Sequence, residues 1–236
     1  MIPVSDALRA RTRPYVNLSI IAANILVFLY ELTLNQFQLQ EFFFTYGVVP
    51  SDLSAWLSSP SLTDLDPPRS VFTSMFVHGG WLHIISNMLF LWIFGDNVED
   101  AMGHVRYLAF YLVTGVAAAL AQTAVNPDAQ IPSVGASGAI AGVMGAYLVL
   151  YPFSSVAVLL PFFFLFWLAW IPAAVLILAW FALQLFSGVA ELGQTAQTAQ
   201  AGVAFWAHIG GFVAGLVLVW FFRSKRRSRR TREGAW

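Results

Sequence analysis

Ser137, three histidines and Asn87 stand in short motifs whose neighbours are almost wholly apolar. The motifs are His78-Gly-Gly-Trp-Leu-His83-Ile-Ile-Ser-Asn87, Gly135-Ala-Ser137-Gly138 and Ala207-His208-Ile-Gly-Gly211. His83 and Asn87 are four residues apart, so a helix puts them on one face. A serine hydroxyl is a weak nucleophile until a neighbouring base takes its proton, and a neutral histidine suits that task. Ser137 as nucleophile with His208 as general base therefore predicts acyl-transfer chemistry. The Asn87 amide, the His83 imidazole and the Ser137 N–H at a helix N-terminus could hold the developing oxyanion. A full triad would add a carboxylate to orient the imidazole. No acid lies between Asp128 and Glu191, and none in the last apolar segment, so the expected chemistry is a Ser–His dyad.

Other chemistries are excluded in the same reading. The chain has no cysteine, which removes disulfides, thiol nucleophiles and thiolate metal sites. His78 and His83 are five residues apart, about 140° around a helix, with no acid beside them, so no metal site is expected. No cofactor is implied. The basic residues lack a folded platform, so no nucleic-acid partner is expected either.

Composition dictates what must position these groups. Hydrophobic residues are 58% of the 236 and charged residues 10%, against about 25% charged in soluble domains. Half of the 24 charges lie before Pro14 or after Phe222. So few charges cannot cover a water-facing surface. The chain reads as an all-α polytopic membrane protein. Charge-free runs cover Asn17–Tyr30, Ser70–Gly95, Tyr107–Pro127 and Ala129–Ala190, and a last one covers Leu192–Phe222. The 62 residues from Ala129 would make a helix of about 93 Å, three bilayers long. They must hold two spans, and Tyr151-Pro-Phe-Ser-Ser155 is the expected break. The expected organisation is a cytoplasmic segment 1–16, a six-helix domain 17–222 and a basic tail 223–236. Its spans run over about 17–34, 71–95, 105–125, 137–151, 171–187 and 201–222. The external stretch from Asn35 to Arg69, rich in aromatic and turn residues, reads as a loop resting among lipid headgroups.

Orientation follows from the basic residues. With both termini cytoplasmic, eleven of the twelve Lys and Arg are inside and only Arg69 is outside. The first 16 residues carry Arg9, Arg11 and Arg13, and no small-residue cleavage site follows, so no cleavable signal is expected. The tail could also hold anionic lipid.

Depth brings the motifs together. Counting from Ala201, His208 lies about 10 Å below the outer surface. A fourth helix from Ser137 to about Leu150 spans only about 21 Å of a roughly 30 Å core. It is therefore submerged, and the polar stretch Asn126–Ala136 must descend to it beside a water-filled cavity. His78-Gly-Gly similarly breaks the second span, so its helix starts near Trp81. Gly138-x-x-x-Gly142 and Gly211-x-x-x-Gly215 let helix backbones pack closely. If those two faces meet, Ser137 and His208 meet.

With those pieces in place, the sequence resembles the rhomboid intramembrane serine proteases from Arg13 to Phe222. The resemblance rests on His78 with His83-x-x-x-Asn87, on Gly135-Ala-Ser-Gly138 and on Ala207-His-x-x-Gly-x-x-x-Gly215. It implies a six-helix bundle that cleaves single-span membrane proteins. It also implies Ser137 and His208 as catalytic residues, His83 and Asn87 as oxyanion donors, and His78 as a cavity histidine of structural or hydrating role. Gly135, Gly138 and Gly211 are cavity or structural positions. The implied location is a bacterial cytoplasmic membrane. Two positions depart from the family. Members often carry an aromatic residue four positions after the serine, stacked on the base, where this chain has Ala141. Either His208 is held less rigidly, or Trp206 or a residue elsewhere substitutes. A Trp-Arg pair common in the first loop is Pro68-Arg69 here. The alternatives are a catalytically silent binder of membrane clients, against which both Ser137 and His208 speak, and a transporter, for which no repeated half is visible.

Overall fold

The computed structural model describes residues 2–162, 165–192 and 203–224. It is mostly helical. A strand β1 (Ile2–Asp6) leads to α1 (Tyr15–Glu31), then to three short helices α2 (Gln36–Tyr46), α3 (Pro50–Ser58) and α4 (Asp66–Thr73). The longer α5 (Trp81–Met102), α6 (His104–Val125) and α7 (Ser137–Leu150) follow. Strands β2 (Ser155–Phe162) and β3 (Leu165–Pro172) precede α8 (Ala173–Leu192) and α9 (Phe205–Phe222). Helices α6, α8 and α9 are each long and apolar enough to cross a bilayer. The α4 segment and α5 make a fourth candidate span, bent by 79° at the His78-Gly-Gly break. Gly80 sits there at φ 151°, a conformation side chains rarely adopt. Helices α1 and α7 are apolar but shorter.

The stretch from Asn35 to Arg69 is largely helical rather than a loop, and its local chemistry says why. Asn35 and Gln38 form a reciprocal capping box at the start of α2. Proline opens α3 (Pro50) and stands in the first turn of α4 (Pro67), where its missing N–H costs nothing. The Trp56 indole donates to the Asp64 carbonyl at 2.9 Å and closes the turn between α3 and α4.

A larger departure from the all-helical expectation is a three-stranded antiparallel sheet ordered β1-β2-β3. Ile2 pairs with Leu159 and Asp6 with Val156, while Ser155 pairs with Pro172. The break after Leu150 is thus followed by a hairpin, and the next helix begins only at Ala173. Val-Ala-Val-Leu-Leu and Leu-Phe-Trp-Leu-Ala-Trp-Ile are apolar on both faces, and periodicity cannot separate such runs from a buried helix. Their β-branched and aromatic residues favour strand, and pairing with β1 decides it. Asp6, at the end of β1, accepts from Tyr147 Oη at 2.6 Å and from Asn97 Nδ2 at 2.9 Å. Residues 2–6 are therefore tied to α5 and α7.

Helix α7 is the centre of the bundle. Every residue from Gly138 to Tyr147 is buried, because glycine and alanine let three neighbours close on it. A Cβ on Gly211 or Gly215 would strike the carbonyl oxygen of Gly138 or Gly142. A Cβ on Gly142 would strike Thr114 of α6. The two glycine motifs thus face each other through backbone, with α6 on the flank. On the far side of the bundle, α1 is capped by a side chain from α5. Glu99 accepts from the backbone N–H groups of Val16 (3.1 Å) and Asn17 (2.7 Å), and His104 Nδ1 lies 2.5 Å from the same carboxylate. That carboxylate meets the unpaired donors and positive end of α1.

Candidate active site

Ser137 is the first residue of α7. The chain reaches it through Gly135, whose φ is 125° and whose N–H donates to the Ser74 carbonyl at 2.8 Å. A Cβ at Gly135 would lie 2.6 Å from His83 Nε2. Glycine is required there both by conformation and by the imidazole beside it.

Ser137 Oγ and His208 Nε2 are hydrogen-bonded at 2.7 Å. The other ring nitrogen, Nδ1, lies 2.8 Å from Gln184 Oε1 of α8. The Trp180 ring, also of α8, sits 5.7 Å from the imidazole, tilted by 39°. His208 itself is buried, on the turn of α9 that carries Gly211. The N-terminus of α9 is held by Gln122 of α6, whose Oε1 accepts from the Ala207 N–H at 3.2 Å.

His83 and Asn87 approach the same point from α5. The Gly79 N–H donates to His83 Nδ1 at 3.3 Å. With Nδ1 accepting, the ring proton is on Nε2, the nitrogen beside Gly135. Asn87 is buried, and its Nδ2 has no partner among the described residues. Ser137, His208, His83 and Asn87 line one cavity of about 1340 Å³, together with the polar stretch Asn126–Val134. Asn87 is thus a donor beside the cavity that the fold itself leaves unused.

His78 stands apart. It is buried beside His83, with ring centroids 5.0 Å apart, but it does not line the cavity. Its backbone N–H donates to Glu31 Oε1 of α1 at 3.1 Å. Gly138 and Gly211 are backbone contacts between α7 and α9. Lys225 to Arg232 of the basic tail, and Ala201, from which the depth of His208 was counted, lie outside the described residues.

Three contacts escaped the sequence reading. Gln184, Trp180 and Gln122 each stand alone in apolar helices, with no motif around them. The signal that could have found Gln184 is its position, a lone amide inside a charge-free run of 62 residues, where a polar group is costly. The ring against His208 is Trp180, which occupies the role left open by Ala141.

These features define an integral membrane helical bundle with a serine–histidine pair held at the wall of a polar cavity. A rhomboid domain model matches residues 68–225, and the chain belongs to the rhomboid family. It is 35% identical over 158 residues to Rhomboid-like protein 11, chloroplastic, of Arabidopsis thaliana, covering 63% of this chain and 50% of that one. Against the mitochondrial Rhomboid protein 1 of Saccharomyces cerevisiae it is 30% identical over 181 residues, 71% of this chain and 46% of that one. The Rhomboid protease GluP of Bacillus subtilis shares 40% over 78 residues, 33% of this chain and 15% of that protein. The matches thus span half or less of these relatives' own lengths.

Proposed function

We propose that this chain is an intramembrane serine endopeptidase that cleaves transmembrane segments of single-span proteins. The observation that carries this reading is the 2.7 Å hydrogen bond from Ser137 Oγ to His208 Nε2 at the wall of the cavity. In the reaction, Oγ attacks the scissile carbonyl carbon while its proton passes to Nε2. The carbonyl oxygen becomes an oxyanion, and Asn87 Nδ2, His83 Nε2–H and the Ser137 N–H are the donors available to it. Collapse expels the leaving amine, which takes the proton back from His208 and leaves an acyl-enzyme. Water, deprotonated by the same imidazole, then attacks the ester and restores Ser137.

The proposed setting is a six-span bundle with both termini cytoplasmic, supported by eleven of twelve basic residues falling on that side. The cavity then opens externally. A helical substrate must arrive unwound, and only a polar cavity satisfies such a backbone at membrane depth. Substrates should carry helix-weakening Gly or Pro in the outer half of their span. The cut should follow a small residue, because Gly135, Ala136, Gly138 and Ala141 surround Ser137 and suggest a narrow site. The basic tail would bind anionic lipid.

A fluorophosphonate probe on detergent-purified protein tests the nucleophile. Wild type should be labelled, and Ser137→Ala and His208→Ala should not. Labelling of Ser137→Ala would remove the assignment, and an unlabelled wild type would favour a silent binder. Substrate choice is tested with single-span reporters whose outer-half Gly and Pro become Leu. Undiminished cleavage would point to recognition outside the membrane.

A further inference from the structure

Helix α8 is apolar over most of its length and exposes most of its surface outward, with Val175, Leu178, Leu183, Phe186 and Val189 all exposed. One stripe does the opposite. Trp180, Gln184 and Gly188 recur at four-residue spacing, which stacks them on one helix face, and that face lies against α9. Gly188 is buried, and a Cβ there would sit 3.3 Å from Ile209 and 3.4 Å from Phe205. Phe181 stacks on Phe212 with centroids 4.2 Å apart, and Trp180 touches both Phe212 and His208. Phe212 is one turn below His208 on α9, so the aromatic contacts set the height at which Gln184 reaches the imidazole.

An amide oxygen has no proton to give, so Gln184 Oε1 can only accept. At 2.8 Å it accepts from His208 Nδ1. A neutral imidazole carries one proton, and with that proton on Nδ1 the lone pair is left on Nε2, the atom facing Ser137 Oγ. The opposite tautomer would point an N–H at the nucleophile and leave no base. We propose that Gln184 is a positioning residue that, with the Trp180 ring against the imidazole face, holds His208 in its base-competent tautomer and orientation. The inference rests on the Ser137–His208 reading above. It supplies a third partner for the imidazole, as a neutral amide from a different helix. An amide avoids burying a charge at membrane depth. It also locates both partners of the imidazole on α8, so displacement of that helix from α9 removes them together.

The test is the rate of fluorophosphonate labelling of full-length protein in detergent, which reads activation of Ser137 without a known substrate. Gln184→Leu keeps roughly the volume and removes the acceptor, and should slow labelling about 10- to 100-fold, less than the loss seen when a triad aspartate is neutralised. Gln184→Glu restores an acceptor at the same reach and should label at the wild-type rate or faster. A packing role predicts the reverse order, with Leu tolerated and Glu harmful, and that order overturns the proposal. So does wild-type labelling by Gln184→Leu. A direct measurement needs no variant at 184. The chain has four histidines, so ¹⁵N-histidine spectra can be assigned for His208 by its loss in His208→Ala. The expected signature is an Nδ1–H tautomer, and an Nε2–H tautomer overturns the proposal even if Gln184→Leu fails to fold. Ser137→Ala separates the two levels: labelling of that variant sinks the proposed function itself, whereas a blank Ser137→Ala beside a fast Gln184→Leu sinks only this inference.

Discussion

The seam between α7 and α9 and the seam between α8 and α9 meet at the same histidine and are built from opposite materials. In the first, backbone touches backbone. Gly211 and Gly215 lie so close to the carbonyls of Gly138 and Gly142 that no Cβ can enter. In the second, side chains mediate the contact through Trp180, Phe181 and Gln184, and a Cβ on the one buried glycine, Gly188, would press on side-chain atoms at 3.3 Å rather than on backbone. Backbone contact has a single allowed spacing, because neither partner has a rotamer to change. Side-chain contact can adjust. The first seam suits setting the distance between Ser137 and His208, and the second suits setting the orientation of the His208 ring.

Breaking the first seam should have the largest effect. Gly211→Leu forces α7 and α9 apart by more than a side-chain movement can absorb, and a misplacement of about 1 Å at a reacting pair costs about 100-fold or more. Cleavage in proteoliposomes should fall below detection, with a lowered melting temperature. A fully active Gly211→Leu protein would show that the glycine faces do not set the site.

Helix α5 packs on α7 and brings His83 and Asn87 to the same cavity. Asn87→Ala removes one of the three proposed oxyanion donors, so the expected loss in kcat is roughly ten- to a thousandfold with KM little changed. A rise in KM alone would make Asn87 a substrate contact rather than an oxyanion donor. The second seam should be more forgiving. Trp180→Phe keeps an aromatic face on the imidazole and should lower the labelling rate only about two- to fivefold. The smallest effect is expected at Gly188→Ala, where the added methyl meets Ile209 Cδ1, the end of a flexible side chain, at 3.3 Å. Labelling should stay within about twofold of wild type. If Gly188→Ala proved as damaging as Gly211→Leu, the contrast between the seams would collapse.

Legibility in the sequence tracked the same divide. Gly138-x-x-x-Gly142 and Gly211-x-x-x-Gly215 are visible because close backbone packing demands one residue type at fixed spacing. The pair at 2.7 Å was anticipated from those motifs and from depth. Gln184 carried no motif, since any helix face could have presented it, and the contact joins residues 24 apart. The sheet was missed for a different reason. Val156–Ile171 is apolar on both faces, and its pairing partner, Ile2–Asp6, lies about 150 residues away in a segment read only for its charges.

What the sequence alone determined is the solvent and the ends of the elements. Too few charges for water, charge-free runs, and Gly or Pro at the breaks specify an integral membrane chain and where α5 and α7 begin. The tertiary structure decided which faces meet. In water an amphipathic stripe announces the buried side of a helix, but lipid is as apolar as the core, so a membrane helix is hydrophobic all round and its sequence does not say which side packs. That is why the side of α8 turned toward His208, and with it the partners of the base, appears only once the helices are assembled.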